Sequence, residues 1–283
     1  MAAKYVNPYT DFGFKKLFGE EASKELLQDF LNEVLPDHLK IAELSLKSTE
    51  KLGNIESDRK AIFDIYCESK DGRKFIVELQ KAKINFFKDR TVFYSTFPIQ
   101  EQAEKGEWDY LLKLVYCIAI LDFAFDYKNQ AYYLTKAQLK NQYCEVFYDK
   151  LTFIFIEMPL FNKTENELNS HFEKWLYFLK NLEDFNDIPA ILNEPIFQKG
   201  FEIASIANFT KEQMDTYQQS LKVYRDLKGV VNTSYMEGKM EGKMEGEKEK
   251  AITVAQKMLE KGFDCKEISE ISGLSVEEIE SLQ

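Results

Sequence analysis

The chain has 283 residues, with 45% hydrophobic residues and 37 Lys plus Arg against 48 Asp plus Glu, a net charge of −11. Such a chain folds around a real core, is long enough for about two domains or for one domain with an appendage, and is neither disordered nor fibrous. No overall positive field draws it to phosphate, so a nucleic-acid site has to be a local patch.

Cys67, Cys117, Cys144 and Cys265 are far apart, with no C-x-x-C pair, which argues against a zinc ribbon and a disulfide framework. Two histidines, His38 and His171, give a histidine metal site or a serine triad little to build on. Neither of the glycine motifs that cradle phosphates, G-x-x-x-x-G-K-[ST] and G-x-G-x-x-G, occurs. The longest apolar stretch, about 111–125, is interrupted by Lys113 and Asp122, and the first residues hold no apolar signal core. A cytoplasmic protein without membrane association is expected, and any chemistry should fall to carboxylates.

Asp11 precedes Phe14, Leu17 and Phe18 on one helical face, and Leu26, Leu27, Phe30, Leu31 and Val34 resume the pattern until Pro36. A helical hairpin or broken helix is predicted, with Asp11 as its N-cap or as a supporting acid. Residues 41–48 fit a short strand. Residues 61–67 and 74–80 are extended runs joined by Ser69-Lys70-Asp71-Gly72-Arg73, a hairpin pattern. Phe63, Ile65 and Cys67 should share the core face with Phe75, Val77 and Leu79, leaving Asp64, Glu78 and Gln80 together on the opposite face. A two-residue Asp71-Gly72 turn would set Ile65 opposite Glu78 and part the two acids. A longer loop, or a bulge with Gly72 left-handed, is therefore required.

A helix over 89–104 carries Arg90, Phe93, Tyr94 and Phe97, with a kink expected at Pro98. Strands follow at 112–120, 131–135 and 150–157, then a helix over 165–182 with Leu168, Phe172, Trp175, Leu176 and Leu179 on one stripe, and another over 212–228. The class is α/β in the mixed α+β sense. From Met236, M-E-G-K repeats every four residues, and each interior glycine costs a helix about 1 kcal/mol relative to alanine. Residues 231–250 read as a linker between a domain at 1–230 and a small helical tail at 251–283, either a flexible tether or a helix ordered by a partner. Asp264 with Glu267 and Ser275 with Glu278 form capping boxes, and Gly262 and Gly273 stop helices. The tail looks like part of a helix-turn-helix, but Glu277, Glu278 and Glu280 would repel phosphates, so DNA reading by it is not expected.

Two carboxylates on adjacent strands form a compact place for Mg²⁺, which takes one or two protein carboxylates and leaves its other positions to water and phosphate. Such an ion lowers the pKa of bound water and neutralises charge on a phosphate being cleaved. Asp64 and Glu78 are the candidate ligands, with Gln80 orienting water or a phosphate oxygen, and Mn²⁺ can replace Mg²⁺ in an oxygen site. Carboxylates on a solvated hairpin face are the plain alternative. Lys81, Lys83, Lys88 and Arg90, opposed only by Asp89, form a basic patch next to the pair.

The spacing Asp64-x13-Glu78-x-Gln80 resembles the PD-(D/E)XK nuclease motif, with glutamine where lysine usually stands. Together with Asp11-Phe-Gly-Phe-Lys-Lys-Leu-Phe-Gly19, Phe63-Asp-Ile-Tyr66, Phe75-Ile-Val-Glu-Leu-Gln80 and Arg90-x3-Tyr94, it makes residues 7–182 similar to the Rpn family of recombination-promoting nucleases, also described as PD-(D/E)XK nuclease family transposases. The resemblance implies a restriction-endonuclease-like core of mixed sheet flanked by helices, metal-dependent DNA cleavage, and a link to recombination or mobile elements. It sets Asp64 and Glu78 on the metal-binding positions and Gln80 on the third. Asp11, Lys81, Lys83, Lys88, Arg90 and Tyr94 are candidate DNA contacts or supports. A Mg²⁺-dependent DNA endonuclease is the leading reading, with no separate module visible for end recognition or strand joining. The alternative is a non-catalytic DNA-binding or oligomerising protein on a decayed nuclease fold, and the tail is a candidate homo-oligomerisation element under either.

Overall fold

The computed structural model describes residues 3–51, 61–103, 106–126 and 132–282. They form two compact units, one up to Arg225 and one from Asp226.

The first unit opens with two separate helices, α1 (Asp11–Phe18) and α2 (Lys24–Val34), the broken form of the predicted pattern. There follow β1 (Leu44–Leu46), β2 (Glu50–Lys51), β3 (Ala61–Ile62), β4 (Ile65–Ser69), β5 (Lys74–Gln80), α3 (Phe87–Gln100), β6 (Val115–Leu121), β7 (Leu134–Lys140) and β8 (Val146–Glu157). Then come α4 (His171–Asn181), α5 (Pro195–Ala204) and the start of α6 (Lys211–Glu260). Six strands form one mixed sheet in the order β1-β4-β5-β6-β8-β7, and β2 pairs with β3 apart from it. β6 lies parallel to both β5 and β8, and the other pairings are antiparallel. A parallel neighbour demands a crossover, and α3 is the one that carries the chain from β5 to β6.

One sheet face, with Phe75, Val77, Ile118 and Ile156, packs on the helical core that includes Leu17, Phe18, Phe30 and Trp175. Trp175 Nε1 and His171 Nε2 both lie 2.7 Å from Oδ2 of Asp29, so α4 is pinned to α2. The other face is covered too. Tyr94 and Phe97 of α3 pack on Phe63, Tyr66, Ile76 and Cys117, and Phe87 joins Ala119, Phe125 and Phe155.

Several expectations need correction. Phe63 belongs with Tyr66 and Ile76 rather than with Ile65 and Cys67, because the chain bends at residues 63–64 and divides the predicted first strand into β3 and β4. The hairpin's second face is not solvated. α1 is capped by Thr10, whose Oγ1 accepts from Gly13 N at 2.9 Å; Asp11 is the first helical residue and pairs with Lys15 at 3.1 Å. The helix predicted at 165–182 begins at His171, where Ser170 provides the cap. Glu104 and Ala131, the ends of two predicted elements, lie outside the described residues.

The second unit contains the later part of α6, then α7 (Cys265–Ser272) and α8 (Val276–Glu280), around Ala255, Ile268, Leu274 and Ile279. Both capping boxes form, and Gly273 ends α7 in the left-handed conformation. The M-E-G-K repeat lies inside α6, with Met236, Met240 and Met244 exposed.

Two glycines separate close approach from idle flexibility. A Cβ on Gly13 would lie 2.2 Å from the Asn7 carbonyl oxygen, whereas nothing stands within 4 Å of one on Gly238. Gly13→Ala should destabilise the chain by about 2–4 kcal/mol through forced backbone movement, and Gly238→Ala should stabilise α6 by about 0.5–1 kcal/mol. Thermal and denaturant unfolding followed by circular dichroism check both signs.

Candidate active site

The site is built from the hairpin upward. Gly72 N donates to the Ser69 carbonyl at 2.8 Å and Ser69 N to the Arg73 carbonyl at 2.9 Å, so the loop is Lys70-Asp71-Gly72 with Gly72 at φ +86°. This three-residue turn sets Ile65 opposite Val77, Tyr66 opposite Ile76 and Cys67 opposite Phe75. Carried one step further, the same register places Asp64 across from Glu78.

Asp64 sits in the bend between β3 and β4, outside strand pairing. Its N–H donates to Oε1 of Glu78 at 3.2 Å, and Leu79 N donates to Oδ2 of Asp64 at 2.7 Å. Each carboxylate is thus held by a backbone amide of the other's segment. Both side chains are half-buried, and among the described residues neither has an ion-pair partner. Burial, with the Asp64 charge added, pushes the Glu78 carboxyl up to about 8; Arg90 and Lys15 pull it down without offsetting this. Burial raises Asp64 as well, against the hydrogen bond from Leu79, and Asp11 adds to the rise while Lys15 and Lys81 oppose it.

Gln80 is engaged at both ends of its amide. Oε1 accepts from Nη2 of Arg90, and Nε2 donates to the Ala82 carbonyl at 3.1 Å. The Arg90 guanidinium lies between two rings of α3, 5.7 Å from the centre of Phe87 and 5.6 Å from that of Tyr94. Glu78, Arg90 and Tyr94 line one recess beneath α3.

The fold therefore brings Asp64, Glu78, Gln80, Arg90 and Tyr94 together, with Asp11 and Lys81 near enough to act on Asp64 electrostatically. The rest of the predicted basic patch points elsewhere: Lys83 pairs with Asp126, and the Lys88 ammonium lies 4.9 Å from the Phe125 ring. Sequence reasoning missed Lys15. Its signal is the i,i+4 spacing from Asp11, which fixes both on one side of α1.

The donor set suits a hard divalent cation. Two fixed, half-buried carboxyl groups can both ionise only against mutual repulsion, and each keeps an oxygen to which no hydrogen bond runs from the described residues. Among the described residues no group of three or more His, Cys, Asp or Glu side chains offers a fuller set, so water and substrate oxygens would complete the coordination.

A family model described as PD-(D/E)XK nuclease family transposase matches residues 8–234, and one described as Rpn/YhgA-like nuclease family, C-terminal HTH domain, matches residues 248–283. No curated protein and no solved structure matches the chain. The first match runs from just before α1 into α6 and holds the whole six-stranded sheet, past the limit at Leu182 read from the sequence. The second agrees with the helix-turn-helix likeness read in the tail; the acidic residues of α8 weigh against DNA reading and not against that module.

Glu78 has a pH signature. Between about 4.5 and about 8 the folded chain keeps a proton on this carboxyl that the unfolded chain has released, so stability falls as pH rises through that window and is level above it. In metal-free buffer, the Tm advantage of Glu78→Gln over the unmodified chain should grow from near zero at pH 5 to several degrees at pH 9. A pH-independent difference would refute that assignment.

Proposed function

The chain belongs to the PD-(D/E)XK nuclease family transposases, with an Rpn/YhgA-like C-terminal domain, and on that premise we propose that it is a metal-dependent DNA endonuclease acting through Asp64 and Glu78. The reciprocal lock between the two carboxylates and the two backbone amides is the observation that carries this reading. It holds two oxygen donors in one geometry before metal or DNA arrives, at a cost in electrostatic repulsion that a divalent cation would relieve. Bound between these residues, Mg²⁺ or Mn²⁺ supplies a more acidic water and neutralises charge on the phosphate.

The reaction is hydrolysis. The water oxygen bonds to phosphorus, one P–O ester bond breaks with its electron pair left on the departing oxygen, and the water's proton passes to solvent or to that oxygen. The amides of Asp64 and Leu79 keep the carboxylates ionised and oriented once the cation is in place. Lys81, and Lys15 from its pair with Asp11, add positive potential at the acids. Cleavage of this kind begins a recombination event, and the helix-turn-helix domain is the part that would hold the DNA.

With supercoiled plasmid and Mg²⁺, the full chain should nick or linearise DNA, and Asp64→Ala and Glu78→Ala should each lose about 100-fold or more in rate. Equal cleavage by all three proteins would sink the assignment. The exposed methionines of α6 favour a second role for the tail, self-association. A chain ending before Met236 should then show a smaller mass multiple by light scattering than the full chain, and an unchanged multiple would exclude that role.

A further inference from the structure

Gln80 is neutral, and a phosphodiester under attack gathers negative charge that a fixed cation stabilises. We propose that Arg90, held in place by Gln80, is the cation that faces the scissile phosphate. The proposal rests on the nuclease reading for its chemistry and on independent geometry for its choice of residue.

Gln80 follows Glu78 by two positions on β5, so both side chains leave the same face of the sheet. The amide nitrogen is committed to the Ala82 carbonyl, which turns the amide oxygen toward Arg90. Phe87 and Tyr94, spaced three and four residues to either side of Arg90, flank the guanidinium plane. Hydrogen bond and rings together confine a side chain that is otherwise among the most flexible.

The other described arginines both stand beside carboxylates. Arg73 pairs with Asp71 at 2.8 Å and also donates to the Leu39 and Lys40 carbonyls, and Arg225 lies 3.9 Å from Glu183. Arg90 has no carboxylate partner among the described residues. Its charge is felt at Glu78 without an ion pair between them, so the guanidinium keeps donors for a phosphate next to the acid pair. Arginine suits this task because its fork matches two phosphate oxygens at once. Gln80 is then a positioning residue, and it acts through Arg90.

The test is a charge swap in the full-length chain. Arg90→Ala should lower the Mg²⁺-dependent plasmid cleavage rate at saturating DNA by about 100-fold. Gln80→Lys combined with Arg90→Ala should recover at least about tenfold of that loss, because an ammonium then enters from the strand. In Mg²⁺-free buffer, binding of a short DNA duplex by Arg90→Ala should show a salt slope reduced by about one. A rate within about threefold of the unmodified chain, a double variant as slow as Arg90→Ala, or an unchanged salt slope would each overturn the proposal. Failure of the unmodified chain to cleave, or undiminished cleavage by Asp64→Ala, would instead strike the nuclease reading, and the salt slope would still decide whether Arg90 meets phosphate. Circular dichroism confirms that the variants fold, and Arg90→Lys, which keeps the charge but loses the fork, should fall between the two extremes.

Discussion

The arrangement of the site depends on the register of one hairpin. Strand residues alternate between faces, so a slip of one position between β4 and β5 would send every side chain of one strand to the wrong side. Lys70-Asp71-Gly72 excludes that slip by closing on Ser69 and Arg73, with Gly72 in a conformation that other residues adopt only at a cost. About five residues away, the consequence is that Asp64 stands across from Glu78. β5 also has a parallel partner in β6 along its whole length, from Lys74 against Val115 to Gln80 against Leu121, which makes the strand bearing Glu78 an interior one. A parallel partner requires a crossover connection, and between β5 and β6 that connection contains α3. α3 therefore returns over the face that carries the acids and brings Arg90 and Tyr94 with it.

That covering sets the electrostatics. Under α3 and between two apolar clusters, the carboxylates lose hydration, and their repulsion is weakly screened. Two backbone amides offset part of the cost, and Lys15, Lys81 and Arg90 a further part without forming ion pairs to the acids. The remaining imbalance is what a divalent cation would fill. The aromatic clusters of the fold bear the expense, as residues such as Phe18, Trp175 and Phe197 are fully buried and Trp175 packs tilted against both rings.

Much of this is written in the residues themselves. Asp71-Gly72 between alternating runs marks the hairpin, and the demand that the apolar sets share a face is enough to choose the longer turn. The acidic pair and the helical segments follow from spacing. What the sequence hides is mostly tertiary. Phe63 looks like a member of the strand's apolar set until the bend that frees the Asp64 amide turns it the other way. Asp11 looks like a cap, but it is already helical, and Thr10, extended one residue earlier, accepts from Gly13 N in its place. Gln80 and Arg90 are ten residues apart, and no local pattern announces their hydrogen bond. The glycine repeat carries a propensity cost that leaves tether and helix both open in the sequence, and α6 runs through it. The helix-turn-helix likeness of the tail is legible in its caps and glycine stops although its last helix is acidic, and of those acids Glu278 accepts from Ser275 N in the capping box and pairs with Lys248 at 3.2 Å.

A chain of net charge −11 also meets a polyanion under an unusual constraint. A net negative charge opposes a polyanion, so for the proposed nuclease the positive potential has to be local. The predicted basic run divides accordingly. Lys83 and Lys88 are drawn to Asp126 and Phe125, while Lys81 and Arg90 remain with the acids, joined by Lys15 from α1. Under the proposed nuclease reading, so small a cationic area would serve one phosphate and would be a poor anchor for a duplex. In the nuclease reading, that shortfall gives the helix-turn-helix domain its purpose: cleavage and DNA retention are separate tasks, placed on separate units of one acidic chain.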